Sequence, residues 1–173
     1  MFLFSNISFI ALLIISVIVT YQDFKERLVS FWILILLGTL CLASVLINRD
    51  TETTLINTAS ISLYLLFLWG VLKLYLYLKH KKWIALINEQ LGMADVLVML
   101  FIGLTFNPIG QILFFCTAFL FSLIAFLLYG LVVKSSTQNT IPLAGLLVFY
   151  YLAIITLLSI NPISIIDCSF INK

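Results

Sequence analysis

Charge is what this sequence has least of. Asp, Glu, Lys and Arg make up 9% of its 173 residues, while 64% are hydrophobic; ordinary soluble domains are about 25% charged. That balance excludes a soluble globular domain, and so much apolar side chain excludes a disordered tail. The net charge is only +2, too little for the basic face of a nucleic-acid binder, so no nucleic-acid partner is expected. Cysteine is scarce as well. Cys41, Cys116 and Cys168 lie far apart and form no CxxC pair, which argues against a zinc site or a disulfide framework. Cys41 and Cys116 read instead as small apolar packing residues. The single histidine, His80, sits within Lys79-His80-Lys81-Lys82 and reads as a headgroup-facing side chain rather than a ligand.

What the chain does have is long apolar runs separated by short polar breaks. The runs cover 2–21, 31–47, about 55–78, about 92–106, about 110–133 and 142–160, and the breaks include Gln22-Asp23, Asn48-Arg49-Asp50, Asn107-Pro108 and Asn161-Pro162. A span needs about 20 apolar residues, so the expectation is an all-α polytopic membrane protein with about six transmembrane helices in a single domain, 1–173. The fourth run is the shortest, roughly 15 residues or 22 Å of helix. The first lacks the basic flank and small-residue cleavage site of a signal peptide, and reads as a retained helix. Five phenylalanines of the fifth run, Phe114, Phe115, Phe119, Phe121 and Phe126, read as a lipid-facing surface.

Orientation follows from the cationic residues. With the N-terminus outside, the inner loops at 22–30, 79–91 and 134–140 hold Lys25, Arg27, Lys79, Lys81, Lys82 and Lys134, against Arg49 and Lys173 outside. Both termini are therefore expected outside. Lys73 can snorkel toward the inner face, and Trp32, Trp83, Tyr75 and Tyr77 suit an aromatic belt there. Residues 83–89 of the longest inner loop resemble a short interfacial amphipathic helix.

Seven residues are acidic. Asp50, Glu52, Asp167, Glu26 and Glu89 fall in loops and read as solvated charges. Asp23 follows the first helix directly. Asp95 opens the fourth and runs straight into Val96-Leu97-Val98-Met99. A carboxylate inside a membrane helix costs roughly 2.5–3.5 kcal/mol on insertion scales and normally lines a cavity or meets a partner. The two acids come from different helices at one depth, so a bundle can bring them together. Such a pair shares one proton: the ionised member activates a water, and the protonated member polarises a carbonyl. The same residues also suit cation or proton binding in a transporter component, although both lie at the inner edge rather than the midplane.

Three stretches resemble the prepilin peptidases, the type IV leader peptidases among the GxGD-type membrane aspartyl proteases. Asp23-Phe24-Lys25-Glu26-Arg27-Leu28-Val29-Ser30 is similar to the family's first Asp motif, Leu91-Gly92-Met93-Ala94-Asp95 to its GxGD motif, and Ile141-Pro142-Leu143-Ala144-Gly145 to its Pro-containing motif at the start of the last helix. The resemblance spans nearly the whole chain in order and spacing. It implies an aspartyl endopeptidase that removes the basic leader of prepilin-like proteins at the cytoplasmic face of a bacterial inner or archaeal cytoplasmic membrane. Asp23 and Asp95 would be the catalytic pair, with Arg27, Gly92, Ala94 and Pro142 supporting the motifs or binding substrate. Glu26 and Glu89 would meet the leader's positive charge. The resemblance implies no cofactor and no metal, and its partners are the substrate protein and membrane lipid.

Two departures accompany the resemblance. Ala94 stands where the motif has glycine, and its Cβ would resist a glycine-only backbone conformation or a close approach. This keeps open a pseudo-protease that binds a membrane helix without cutting it. Full-length family members also carry a cysteine-paired methyltransferase domain, which this sequence does not show, so no N-methylation is expected.

Overall fold

The computed structural model describes residues 2–26, 28–81, 92–132 and 142–160. Among them are six helices and no strand: α1 (Phe2–Glu26), α2 (Phe31–Asn48), α3 (Thr51–His80), α4 (Met93–Leu104), α5 (Pro108–Val132) and α6 (Leu143–Ile160). Three are long and apolar enough to cross a membrane, over Phe31–Asn48, Thr51–Lys79 and Pro108–Leu128. The expected amphipathic segment 83–89 lies outside the described residues, as do Arg27, Glu89, Trp83, Lys134 and Cys168.

Polar residues adjust the helix ends. α1 runs five residues beyond the expected Tyr21 because Gln22, Lys25 and Glu26 are good helix formers and Lys25 suits the negative end of the helix dipole. Asp23 therefore sits inside the last turn of α1 rather than after it. The Gln22 side chain then accepts the Ser30 N–H at 3.1 Å, closing the turn into α2. α3 is capped by Lys81, which has a left-handed φ of 53° and whose N–H donates to the Tyr77 carbonyl. α5 begins on Pro108, where a missing N–H does no harm, and Asn107 Oδ1 accepts the Gly110 N–H at 2.9 Å.

α4 lies at the centre, packed on α2, α3 and α6; α1 packs on α6 and α2, and α5 on α6 and α3. α4 has 12 residues, or about 18 Å at 1.5 Å per residue. The turn after it is buried: Thr105 and Phe106 are fully inaccessible. Backbone polar groups at such depth need partners from within the protein. Gln111 supplies them, donating to the carbonyls of Asn57, Gly103 and Phe106, while its own carbonyl accepts the Ser60 hydroxyl. Arg49 donates to the Thr105 carbonyl at 3.0 Å, and the Tyr151 hydroxyl donates to Thr105 Oγ1 at 3.1 Å. Replacing Gln111 with leucine removes these donors while keeping the bulk. We expect a loss of about 2 kcal/mol, the cost of leaving buried carbonyls unpaired, read as a lower denaturant midpoint in detergent micelles.

The phenylalanines of α5 differ from expectation. Phe114 and Phe115 belong to the core. Phe114 stacks on Phe106 at 5.0 Å and meets Tyr151 edge-on, and Phe115 stacks on Tyr64 at 5.2 Å. The reason is helical spacing. Gln111, Phe114, Phe115, Ala118 and Ser122 form one stripe, and the polar and small members of that stripe belong inside a membrane bundle. Cys41 of α2 is buried as expected, but Cys116 is exposed on the outer side of α5. Lys73 also differs: its ammonium lies 4.4 Å from the Trp69 ring, four residues back, because helix side chains lean toward the N-terminus. Trp32, Tyr75 and Tyr77 are exposed.

Candidate functional site: two carboxylates at the start of α6

The carboxylates of Asp23 and Asp95 converge where α1 ends and where α4 and α6 begin. The cause is local. A helix leaves its first N–H groups without intrahelical partners, and a Ser, Thr, Asp or Asn at the N-cap normally accepts one. α6 is preceded by Pro142, which has no accepting side chain. Its carbonyl takes the Leu146 N–H at 3.2 Å, but the Ala144 and Gly145 N–H groups need acceptors from elsewhere. Asp23 Oδ2 accepts the Gly145 N–H at 2.6 Å. The Asp95 carboxylate takes a hydrogen bond from the Ala144 N–H and lies close enough to Asp23 for their charges to interact. Two acids 72 residues apart in sequence thus cap one helix.

The two carboxylates differ in setting. Asp23 is 7% exposed and sits in the last turn of α1. Asp95 is half-buried and closes its own helix start. Its Oδ2 accepts the Gly92 N–H at 3.1 Å, and its N–H donates to the Gly92 carbonyl at 3.1 Å. The positive ends of α4 and α6 both point at this negative charge, which offsets the negative end of α1 at Asp23.

Gly145 makes the approach of α1 to α6 possible. A Cβ there would stand 3.0 Å from Asp23 Oδ2, 3.1 Å from Asp23 Cβ and 3.3 Å from the Phe24 ring. Gly92 is exposed and its side-chain space faces Asp95, with a Cβ falling 3.0 Å from Oδ2. Ala94 occupies the first turn of α4, half-buried against the core. Among the described residues Lys81 is the one non-glycine with positive φ, so Ala94 adopts an ordinary helical backbone that does not require glycine. Pro142 is half-buried and immediately precedes α6. Glu26 is exposed; Arg27 and Glu89, as noted, are not among the described residues.

On another face of α4, α3 and α4 form an apolar groove of about 180 Å³, walled by Leu65, Trp69 and Leu72 on one side and Val96 and Met99 on the other. Its α4 wall begins at the residue after Asp95. No group of three or more metal-ligating side chains occurs among the described residues.

Sequence reasoning singled out Pro142 in the last motif but missed the two amides that follow it. The signal was available: a helix opening on proline, with no hydroxyl or carboxylate of its own, must take its cap from another element. No protein-family model, curated protein or solved structure matches the chain.

Proposed function

We propose that the chain is a membrane aspartyl endopeptidase of the prepilin-peptidase type, cleaving the leader of prepilin-like proteins at the cytoplasmic face. In this reading it crosses a bacterial inner or archaeal cytoplasmic membrane six times with both termini outside. The observation that carries it is the meeting of Asp23 and Asp95 at one end of the bundle, each held by a backbone N–H of α6. That end also holds Lys25 and Lys79, as the positive-inside rule requires of the cytoplasmic side. Six crossings follow from six apolar runs, with the short α4 entering at Asp95 and ending on a turn sheltered by protein.

The chemistry follows from two carboxyls sharing one proton. A water between them gives a proton to the ionised carboxylate as its oxygen bonds to the peptide carbon. The protonated partner passes its proton to the carbonyl oxygen. The tetrahedral gem-diol then collapses as the C–N bond breaks: the first carboxyl returns its proton to the leaving amine, and one diol hydroxyl returns a proton to the second carboxylate, which restores the singly protonated pair. The backbone N–H bonds hold both carboxyls in place through these steps without themselves donating a proton. The groove at Val96 and Met99 suits the apolar segment that follows a leader.

One observation favours a second reading. Both carboxylates satisfy helix N-termini, so the pair also suits a purely structural cap in a non-catalytic membrane subunit, whether a transporter component or a pseudo-protease that binds a membrane helix. Co-expression with a tagged prepilin-like substrate separates the two. Cleavage by the wild type, confirmed by the new N-terminus, and none by Asp23→Asn or Asp95→Asn supports the peptidase. A wild type that inserts normally and cuts none of several substrates supports the non-catalytic subunit.

A further inference from the structure

Asp23 is not the only residue of α1 that reaches Gly145. One turn earlier, Thr20 Oγ1 lies 2.8 Å from the Ser16 carbonyl and 3.4 Å from the Gly145 carbonyl. The hydroxyl proton is thus shared between its own helix and α6. A helical carbonyl has a second lone pair free for such a bond. Gly145 is therefore gripped at both backbone groups by the same helix, its C=O by Thr20 and its N–H by Asp23. Thr20 and Asp23 are three residues apart, so they share a face of α1. The absent Cβ of Gly145 lets that face come close.

We propose that Thr20 is a positioning residue for the carboxylate pair, a role that rests on the peptidase reading. Asp23 ties the last turn of α1 to α6 through the Gly145 N–H. The Thr20 contact adds a second point about one turn away and fixes the height and tilt of α1 on α6. That sets where Asp23 stands relative to Asp95, which is held by Gly92 and by α6 rather than by α1. Small displacements of a catalytic group are costly to rate: about 1 Å can cost 100-fold.

The test uses the full chain in membranes. Thr20→Val keeps the branched shape and removes the hydroxyl; Thr20→Ser keeps the hydroxyl. For Thr20→Val we expect kcat for leader cleavage to fall about tenfold, with KM within about twofold, because transition-state alignment rather than substrate binding is lost. Thr20→Ser should recover most of the rate, and both variants should match the wild type in thermal midpoint. An unchanged kcat for Thr20→Val overturns the proposal, as does a loss that Thr20→Ser fails to recover. A second measurement does not need activity. Carbodiimide labelling of Asp23, followed by peptide mass spectrometry, should be faster in Thr20→Val than in the wild type because the carboxyl is less firmly held. Equal labelling overturns the proposal. A wild type that cleaves nothing refutes the peptidase reading, and the labelling comparison still decides whether Thr20 holds the pair.

Discussion

Asp95→Asn is expected to lower leader cleavage by about 1,000-fold or more, the scale set by loss of an acid–base group, while leaving the fold intact. The two halves of that expectation have separate causes. Asparagine keeps an oxygen that accepts the Gly92 N–H, now bonded at 3.1 Å, and the Ala144 N–H. As a cap, Asn is about as good as Asp, and with a neutral amide opposite it Asp23 can ionise without a facing carboxylate. Stability should therefore change by less than about 1 kcal/mol. An amide, however, neither carries the shared proton nor takes one from water. Asp95→Ala is the contrasting variant. It loses the cap as well as the chemistry and should cost a further ~1 kcal/mol of stability. Cleavage assays on membranes, paired with thermal unfolding in detergent, separate these effects. Cleavage that survives Asp95→Asn would remove Asp95 from the mechanism. A protein in which only the alanine variant has a phenotype, and that phenotype is in stability, would identify the pair as a helix cap.

The second large effect is expected at Gly145, again with activity and stability moving apart. Alanine is the better helix former by about 1 kcal/mol, and over-packing a tight contact costs about 1–3 kcal/mol. These terms oppose each other, so Gly145→Ala should lower stability by no more than about 2 kcal/mol. The atoms that must yield are the informative ones. The new methyl would stand 3.0 Å from Asp23 Oδ2 and 3.1 Å from its Cβ. Both belong to a buried residue on a rigid helix, so relief comes from moving α1 away from α6. That lengthens the 2.6 Å bond from the Gly145 N–H and carries Asp23 away from Asp95. A shift approaching 1 Å predicts about a 100-fold loss of cleavage. A Gly145→Ala protein with full activity would show that the approach of α1 to α6 does not govern the pair.

Much of this arrangement is legible in the residues. A membrane chain must satisfy its backbone within each segment, so long apolar runs become helices. The polar breaks mark their ends to within a few residues, with α2 and α6 nearly as expected. The missed end was that of α1: apolarity stops at Tyr21, whereas helix propensity carries on through Glu26. The inward stripe of α5 was also present in the sequence, in Gln111 and Ser122 at helical spacing with Phe114, Phe115 and Ala118. Counting phenylalanines without their phase pointed outward instead. Ala94 shows the opposite case. Its identity departs from the motif it resembles, and only the observed backbone shows that the conformation there is ordinary helix, open to alanine.

By itself, then, the sequence determined the all-helical character, the segments and the two acids that do not belong in apolar surroundings. These follow from short-range physics: hydrocarbon solvation, propensity and the cost of a lone carboxylate. The tertiary structure decided who meets those acids. Whether Asp23 reaches Gly145 depends on how closely α1 lies on α6, a distance set by an absent Cβ and a shared Thr20 proton. Whether Asp95 joins it depends on the depth at which α4 is held. Gln111, Arg49 and Tyr151 hold the buried turn at the other end of α4. The contacts of Arg49 and Tyr151 link residues tens of positions apart, and the periodicity of any one helix carries no record of them.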